Sequence, residues 1–290
     1  MAYIIQVDFD SYWKLAKASY VFKYRDNSYR MLRGRGQGRN KERDCILSII
    51  DEGQVDNVAR EIMIYLGCLS WEHRTPMLVT LAGGRGYGGR LGIKTVRRSI
   101  ITKRMLPSQM LYLTINRIPY VETKDQEDAI GLYREAMASG SPFYKFLCLW
   151  NILNIPTRKT GLVINWVNDA IKNKKHRIYP NHHIDVLSKK GVDIGKHLDD
   201  ECRDAIAHIR RDLPSKTHID INSNKDYGRI AASAYFLEDL SRLYVAEELK
   251  LIKSQFLYQR KTRDIPEYLT EEEIQGKALK EWPLSLIIAK

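Results

Sequence analysis

Near residues 121–125 the apolar side chains of this chain change their spacing, and that change limits its fold more than any single motif does. Before it, short β-rich runs dominate. YVFKY (20–24) and SYRML (28–32) flank Arg-Asp-Asn and predict a hairpin, with CILSII (45–50) as a third strand. Residues 55–69 carry Val58, Ile62, Tyr65, Leu66 and Leu69 at helical spacing. MLVTL (77–81) and MLYLTI (110–115) then predict further strands. After it, the spacing is helical. Residues 128–138 bring Ile130, Tyr133, Ala136 and Met137 to one side. Ser141-Pro142 is a helix start, with Ser as N-cap and Pro at the first helical position. It opens SPFYKFLCLWNIL, whose Phe143, Phe146, Leu147, Trp150 and Leu153 form a thick apolar stripe. Thr160 is expected to cap a helix running through Ile171, and residues 226–252 form a long one with Ile230, Leu237, Leu240 and Tyr244 on one side. Thr270 and Glu273 make a capping box for a last helical segment. The expected class is α+β: a small basic α/β domain over residues 1–125, then an all-α domain over residues 126–290.

The charge divides at the same place. Residues 1–125 hold 21 Lys/Arg against 12 Asp/Glu, so +9 of the formal +12 lies there. Residues 73–121 contain no acidic side chain at all. Such a block sets up a positive field that attracts phosphate-rich polymers, which makes a polyanion the expected partner. With 290 residues, 44% of them hydrophobic, the chain can bury a real core. No apolar run reaches membrane-spanning length, and Asp8 and Asp10 stand where a signal peptide needs an apolar segment. Cys45, Cys68, Cys148 and Cys202 are far apart, which argues against a zinc ribbon and a disulfide framework. A cytoplasmic protein without a membrane partner is expected.

Two glycine-rich basic stretches, RGRGQGR (33–39) and GGRGYGGR (83–90), invite a phosphate-binding reading. Neither ends in the G-K-[ST] of a P-loop, and no acidic residue follows the second at dinucleotide-site spacing. Two readings are open: flexible surface loops, or backbone that approaches a ligand closely while arginines grip its phosphates. On the second, Arg35, Arg39, Arg85, Arg90, Arg97 and Arg98 contact RNA and Tyr87 stacks on a base. Among the histidines, His182 and His183 are adjacent, while His176, His197 and His218 lack partners at a familiar ligand spacing. No metal site and no cofactor are expected. Cys202 reads as a small core residue rather than a nucleophile.

The stretch D-D-E-C-R-D-A-I-A-H-I-R-R-D (199–212) holds the remaining candidates. Leu198, Cys202, Ala205, Ile206 and Ile209 fall on one narrow helical face, and Arg203 and His208 flank it on opposite sides. Asp204 and His208 are four apart, so the carboxylate can fix the imidazole's tautomer. Arg203 is a planar cation suited to a phosphodiester. One straight helix cannot aim Arg203 and His208 at the same atom. Two arrangements are therefore open. Either a two-fold copy of the helix completes the site, or Arg203 pairs with Asp199 or Asp200 one turn back and His208 stands apart.

R-D-A-I-A-H, followed by a polar loop and a long closing helix, resembles the R-x4–6-H signature of the HEPN superfamily. The wider segments GLYREAMASGSPFYKFLCLWNIL (131–153) and 197–249 are similar to methylamine-utilisation accessory proteins of the MauJ type, and the resemblance covers residues 127–252. It implies a HEPN-like helical bundle that forms a homodimer through its motif helices. It also implies a metal-independent endoribonuclease that leaves 2′,3′-cyclic phosphates, with stress response or phage defence as its setting. Carried over, His208 is the acid/base or orients the 2′-hydroxyl, Arg203 binds the scissile phosphate and stabilises its developing charge, and Asp204 positions the imidazole. The alternative the same family offers is a catalytically silent adaptor, which dimerises and docks a partner, for instance one encoded in the same operon, or binds RNA without cutting.

Overall fold

The structure, a computed structural model, describes residues 2–17, 19–34, 43–86, 89–91, 112–113, 115, 117–155, 159–174, 180–207, 219–220, 222–251 and 254–256. The chain divides into two compact units. One takes in Met1–Ile118 and the segment that starts at Ser254; the other is Pro119–Lys253. The capping box expected at Thr270 lies outside the described residues.

The first unit is built on the chain's opening residues. In Ala2–Ser11 (β1), Ile5, Val7 and Phe9 are fully buried while Gln6 is exposed, the two-residue period of a strand with one covered face. This strand is central in a six-stranded sheet, whose other strands are Ser19–Tyr24 (β3), Asn27–Leu32 (β4), Asp44–Asp51 (β5), Met77–Gly86 (β6) and Gly89–Leu91 (β7). Their order is β3-β4-β5-β1-β6-β7. The expected hairpin forms as β3 and β4, turning at Arg25 with φ 52, a left-handed backbone that few non-glycine residues adopt. Every pairing in this sheet is antiparallel, so the α/β expectation narrows to hairpin-built architecture. Of the strand expected at 110–115, Tyr112–Leu113 (β8) is described; it runs parallel to Lys14–Leu15 (β2).

Val55–His73 (α1) contacts β1, β5 and β6, burying Val58, Ile62, Tyr65, Leu66 and Leu69, the residues its spacing predicts. The Phe22 ring stacks 4.6 Å from Tyr65 and 5.6 Å from Tyr29. The buried Tyr65 hydroxyl donates to the Ile115 carbonyl, which satisfies its polar end.

The second unit is helical, and its helices start where capping chemistry puts them. Lys124–Ala138 (α2) opens with a Thr123/Gln126 capping box. Pro142–Leu153 (α3) opens with the Ser141 cap expected from the sequence. Thr160–Lys174 (α4) begins at Thr160 itself. His182–Lys189 (α5) is capped by Asn181, and Asn224–Glu247 (α8) by Ser223. The helix α3 packs against both α2 and α8. Phe146, Leu149, Trp150 and Leu153 of α3 meet Ala129, Ile130 and Tyr133 of α2 and Ile230, Leu237 and Leu240 of α8 in the core. A charged pair lies within it: Lys145 Nζ is 2.8 Å from Glu238, which also accepts from the Tyr133 hydroxyl at 3.3 Å. The α+β class is thus as expected.

Candidate functional site

Residues 194–207 form one continuous helical stretch that changes its winding twice. Ile194–Lys196 (α6) is α-helical, His197–Asp204 is a π-helix, and Ala205–Ala207 (α7) is α-helical again. The stretch is pinned at its start. The Asp193 side chain caps the Lys196 amide, Asn168 of α4 donates to Asp193, and the Gly195 amide donates to Asn168 Oδ1 at 2.8 Å. Gly195 is there because nothing larger fits: a Cβ would lie 2.5 Å from the Ile164 carbonyl oxygen.

The π-winding decides which side chains meet. Its i→i+5 hydrogen bonds bring residues five apart onto one face, whereas an α-helix would splay them. On the inward side this pairs His197 with Cys202, whose Sγ is 3.9 Å from His197 Nε2 and 3.7 Å from Ser233 Oγ of α8. The His183 ring, from α5, lies 6.0 Å from that of His197, and its buried Nε2 has no hydrogen-bond partner among the described residues. Arg229 of α8 donates to the Glu201 carbonyl at 2.6 Å and to Asp226 at 3.2 Å. Burial is the main reason both imidazoles titrate below their ordinary value, and the Arg229 cation pushes them the same way. Burial likewise pushes the Cys202 thiol up to about 11, which keeps it neutral and fits its reading as a core residue. Among the described residues no three His, Cys, Asp or Glu side chains are arranged to hold a metal ion.

The outward side carries the predicted site residues. Arg203 donates to Asp199 Oδ1 through Nε at 2.8 Å and through Nη2 at 2.5 Å. Its Nη1 lies 2.5 Å from Asp204 Oδ1. Of the two arrangements left open by the sequence, the Arg203–Asp199 pair is therefore formed. Asp204, expected to serve the histidine, also holds the arginine. The Arg203 side chain keeps 26% of its surface in solvent, against 9% for Asp199 and 12% for Asp204. Burial raises the Asp199 pKa; the Arg203 hydrogen bond and charge pull it back, while Asp204 and Asp200 push it further up. His208, Arg35, Arg39, Tyr87, Arg97 and Arg98 lie outside the described residues.

GGRGYGG continues strand β6 and returns as β7, with Gly84 opposite Leu91, Arg85 opposite Arg90 and Gly86 opposite Gly89. A hairpin here removes the strand-to-helix turn that a dinucleotide site requires. It leaves Arg90 on the edge strand of the sheet, paired with Arg85 on the strand next to it.

What the sequence reading missed is the π-winding, the His183–His197 pair and the Arg229 contact. The D-x-x-x-R spacing of Asp199 and Arg203 was the one legible sign of this geometry.

Residues 129–246 match the family model described as methylamine utilization protein MauJ. The match runs from α2 to the end of α8, so it includes the π-helix with Arg203 and Asp204 and leaves out the first unit. It agrees with the MauJ-type resemblance read from the sequence. No curated protein and no solved structure matches the chain.

Proposed function

We propose that the chain is a metal-independent endoribonuclease of the HEPN type, cutting RNA at a site shared by two copies of its motif helix. Arg203 binds the scissile phosphate and offsets the charge that develops on it. His208 moves the proton, and Asp204 positions the imidazole. The 2′-oxygen bonds to phosphorus, the bond to the 5′-oxygen breaks, and the 2′-hydroxyl proton reaches that leaving oxygen through the imidazole. The products are a 2′,3′-cyclic phosphate and a 5′-hydroxyl. The basic first 125 residues recruit the RNA, and stress response or phage defence is the setting.

One observation carries this reading. Arg203 is a permanent cation on the motif helix whose guanidinium is held in orientation by two carboxylates, yet whose side chain still reaches solvent. A specific observation also favours the adaptor reading. Each guanidinium nitrogen already faces a carboxylate, so the arginine is neutralised before any phosphate arrives.

Incubating the pure protein with total RNA and EDTA, beside Arg203→Ala and His208→Ala, separates the two. Cleavage by wild type with cyclic-phosphate ends, reduced about a hundredfold or more in both variants, is the expected result. No cleavage, or equal cleavage by all three proteins, would remove the catalytic reading and leave the adaptor.

A further inference from the structure

We propose that Asp199 is a built-in competitor for phosphate at Arg203: its carboxylate occupies the Nε/Nη2 edge of the guanidinium, an edge that can grip a phosphate with two N–H groups. The inference rests on the reading of Arg203 as a phosphate-binding residue. Arginine recognises oxyanions through paired N–H groups, and the Nε/Nη2 edge presents such a pair. In the structure both of those N–H groups are spent on one oxygen, Asp199 Oδ1. The remaining nitrogen in contact, Nη1, is taken by Asp204. A phosphate cannot engage the Nε/Nη2 edge of the guanidinium without displacing Asp199.

The two carboxylates differ in what displacement requires. Asp204 is the next residue in the chain and moves with Arg203. Asp199 sits one turn earlier, more buried than its partner. A buried carboxylate gives up hydration to form its pair, so the net strength of the contact is far below its Coulomb energy. Such a contact can be exchanged for a doubly charged competitor or a polymer of phosphates. The local charge works in the same direction as the latch. Between His197 and Asp204 the segment carries Asp199, Asp200, Glu201 and Asp204 against the single cation Arg203. The nearby Arg229 is engaged with the Glu201 carbonyl and Asp226. With Asp199 in place the segment from His197 to Asp204 carries more carboxylates than cations; with Asp199 displaced the Nε/Nη2 edge of Arg203 is available. The π-winding keeps the latch in register, because Asp199 and Asp204, five apart, share the face that Arg203 bridges.

The test measures binding, independently of turnover. A short 2′-O-methyl RNA oligonucleotide, which cannot be cut by 2′-hydroxyl attack, is titrated into the full chain and followed by fluorescence anisotropy. Asp199→Asn, which keeps the shape and removes the charge, is expected to bind roughly three- to tenfold more tightly than wild type. Asp199→Glu keeps a carboxylate and is expected to give less of that gain. Arg203→Ala in the Asp199→Asn background is expected to abolish it. Equal or weaker binding by Asp199→Asn, or a gain that survives Arg203→Ala, overturns the proposal. Should the Asp199 variants not fold, wild type still decides. The Arg203 Nε–H resonance, assigned by its loss in Arg203→Ala, must shift when the oligonucleotide saturates the protein; an unmoved resonance overturns the latch. The outcomes separate the two readings. Arg203-dependent tightening without any RNA cleavage keeps the latch and removes catalysis, whereas cleavage with no tightening does the reverse.

Discussion

At the scale of single residues, the buried imidazoles of His183 and His197 make the second unit sensitive to acid. Both titrate below the ordinary value of 6.5, chiefly because burial disfavours the charged ring. The groups acting on them are the Cys202 thiol beside His197, the Arg229 guanidinium, Glu201 on the neighbouring turn and, for His183, His182. Between the lowered values and 6.5 the unfolded chain takes up protons that the folded chain refuses. Stability therefore falls as pH drops through that window and is fully present above it. Asp199 acts with the opposite sign, because its pKa is raised, but in the carboxylate range below. The expected outcome is a lower urea midpoint at about pH 5.5 than at about pH 7.5. Replacing the buried ring in His197→Gln flattens that acid limb. A midpoint that holds constant across the window, or one that changes equally in the variant, contradicts the assignment.

At the scale of elements, the stretch 194–207 depends on one close approach. Gly195 lets its backbone lie against α4, where a Cβ would come within 2.5 Å of backbone oxygen. Gly195→Ala forces the helix away from Ile164 and strains the Asn168–Asp193 hydrogen bonds that cap it. A loss of ~1–3 kcal/mol is expected, the usual range for overpacking, read from denaturant unfolding. A variant as stable as wild type would show that the two elements separate freely. Elements of this kind also mark how far the sequence could be read. Local chemistry was legible: the β-rich runs YVFKY and SYRML on either side of Arg-Asp-Asn predicted the hairpin, and Ser141-Pro142 predicted the start of α3. Three of the Val55–Leu69 contacts, those of Ile62, Tyr65 and Leu66, follow directly from helical period. The Thr123/Gln126 box was equally legible and went unread. The π-winding was not, because nothing in H-L-D-D-E-C-R-D favours i→i+5 bonds locally. It comes with tertiary contacts: the Arg229 bond to the Glu201 carbonyl and the docking of Gly195, both supplied by residues 27 or more positions away. The candidate site inherited that blind spot. Arg203 and Asp204 were named from spacing, but the partners that orient them depend on the winding.

At the scale of the whole molecule, the chain assigns charge and motif to different units. Most of the excess positive charge belongs to the first 125 residues, and Arg203 belongs to the second unit. If the first unit recruits RNA through its phosphates, affinity must fall with salt, since each neutralised phosphate releases counterions. The β6–β7 hairpin is where that dependence is expected to originate. Its register sets Arg85 against Arg90. Like charges opposite each other on neighbouring strands are destabilising, and an anion bound at the pair relieves the repulsion. For a single-stranded RNA the slope of log K against log salt scales at about 0.7 per phosphate contact. Arg85→Ala with Arg90→Ala is therefore expected to flatten the slope by roughly 1.4 if each arginine holds one phosphate. Arg203→Ala in the wild-type background is expected to flatten it by no more than about 0.7, the share of its single phosphate contact. Anisotropy titrations of one labelled single-stranded RNA over a series of salt concentrations read both slopes. An unchanged slope in the hairpin variant would place the recruiting phosphate contacts elsewhere in the first unit, and a slope near zero in wild type would end the polyanion reading altogether.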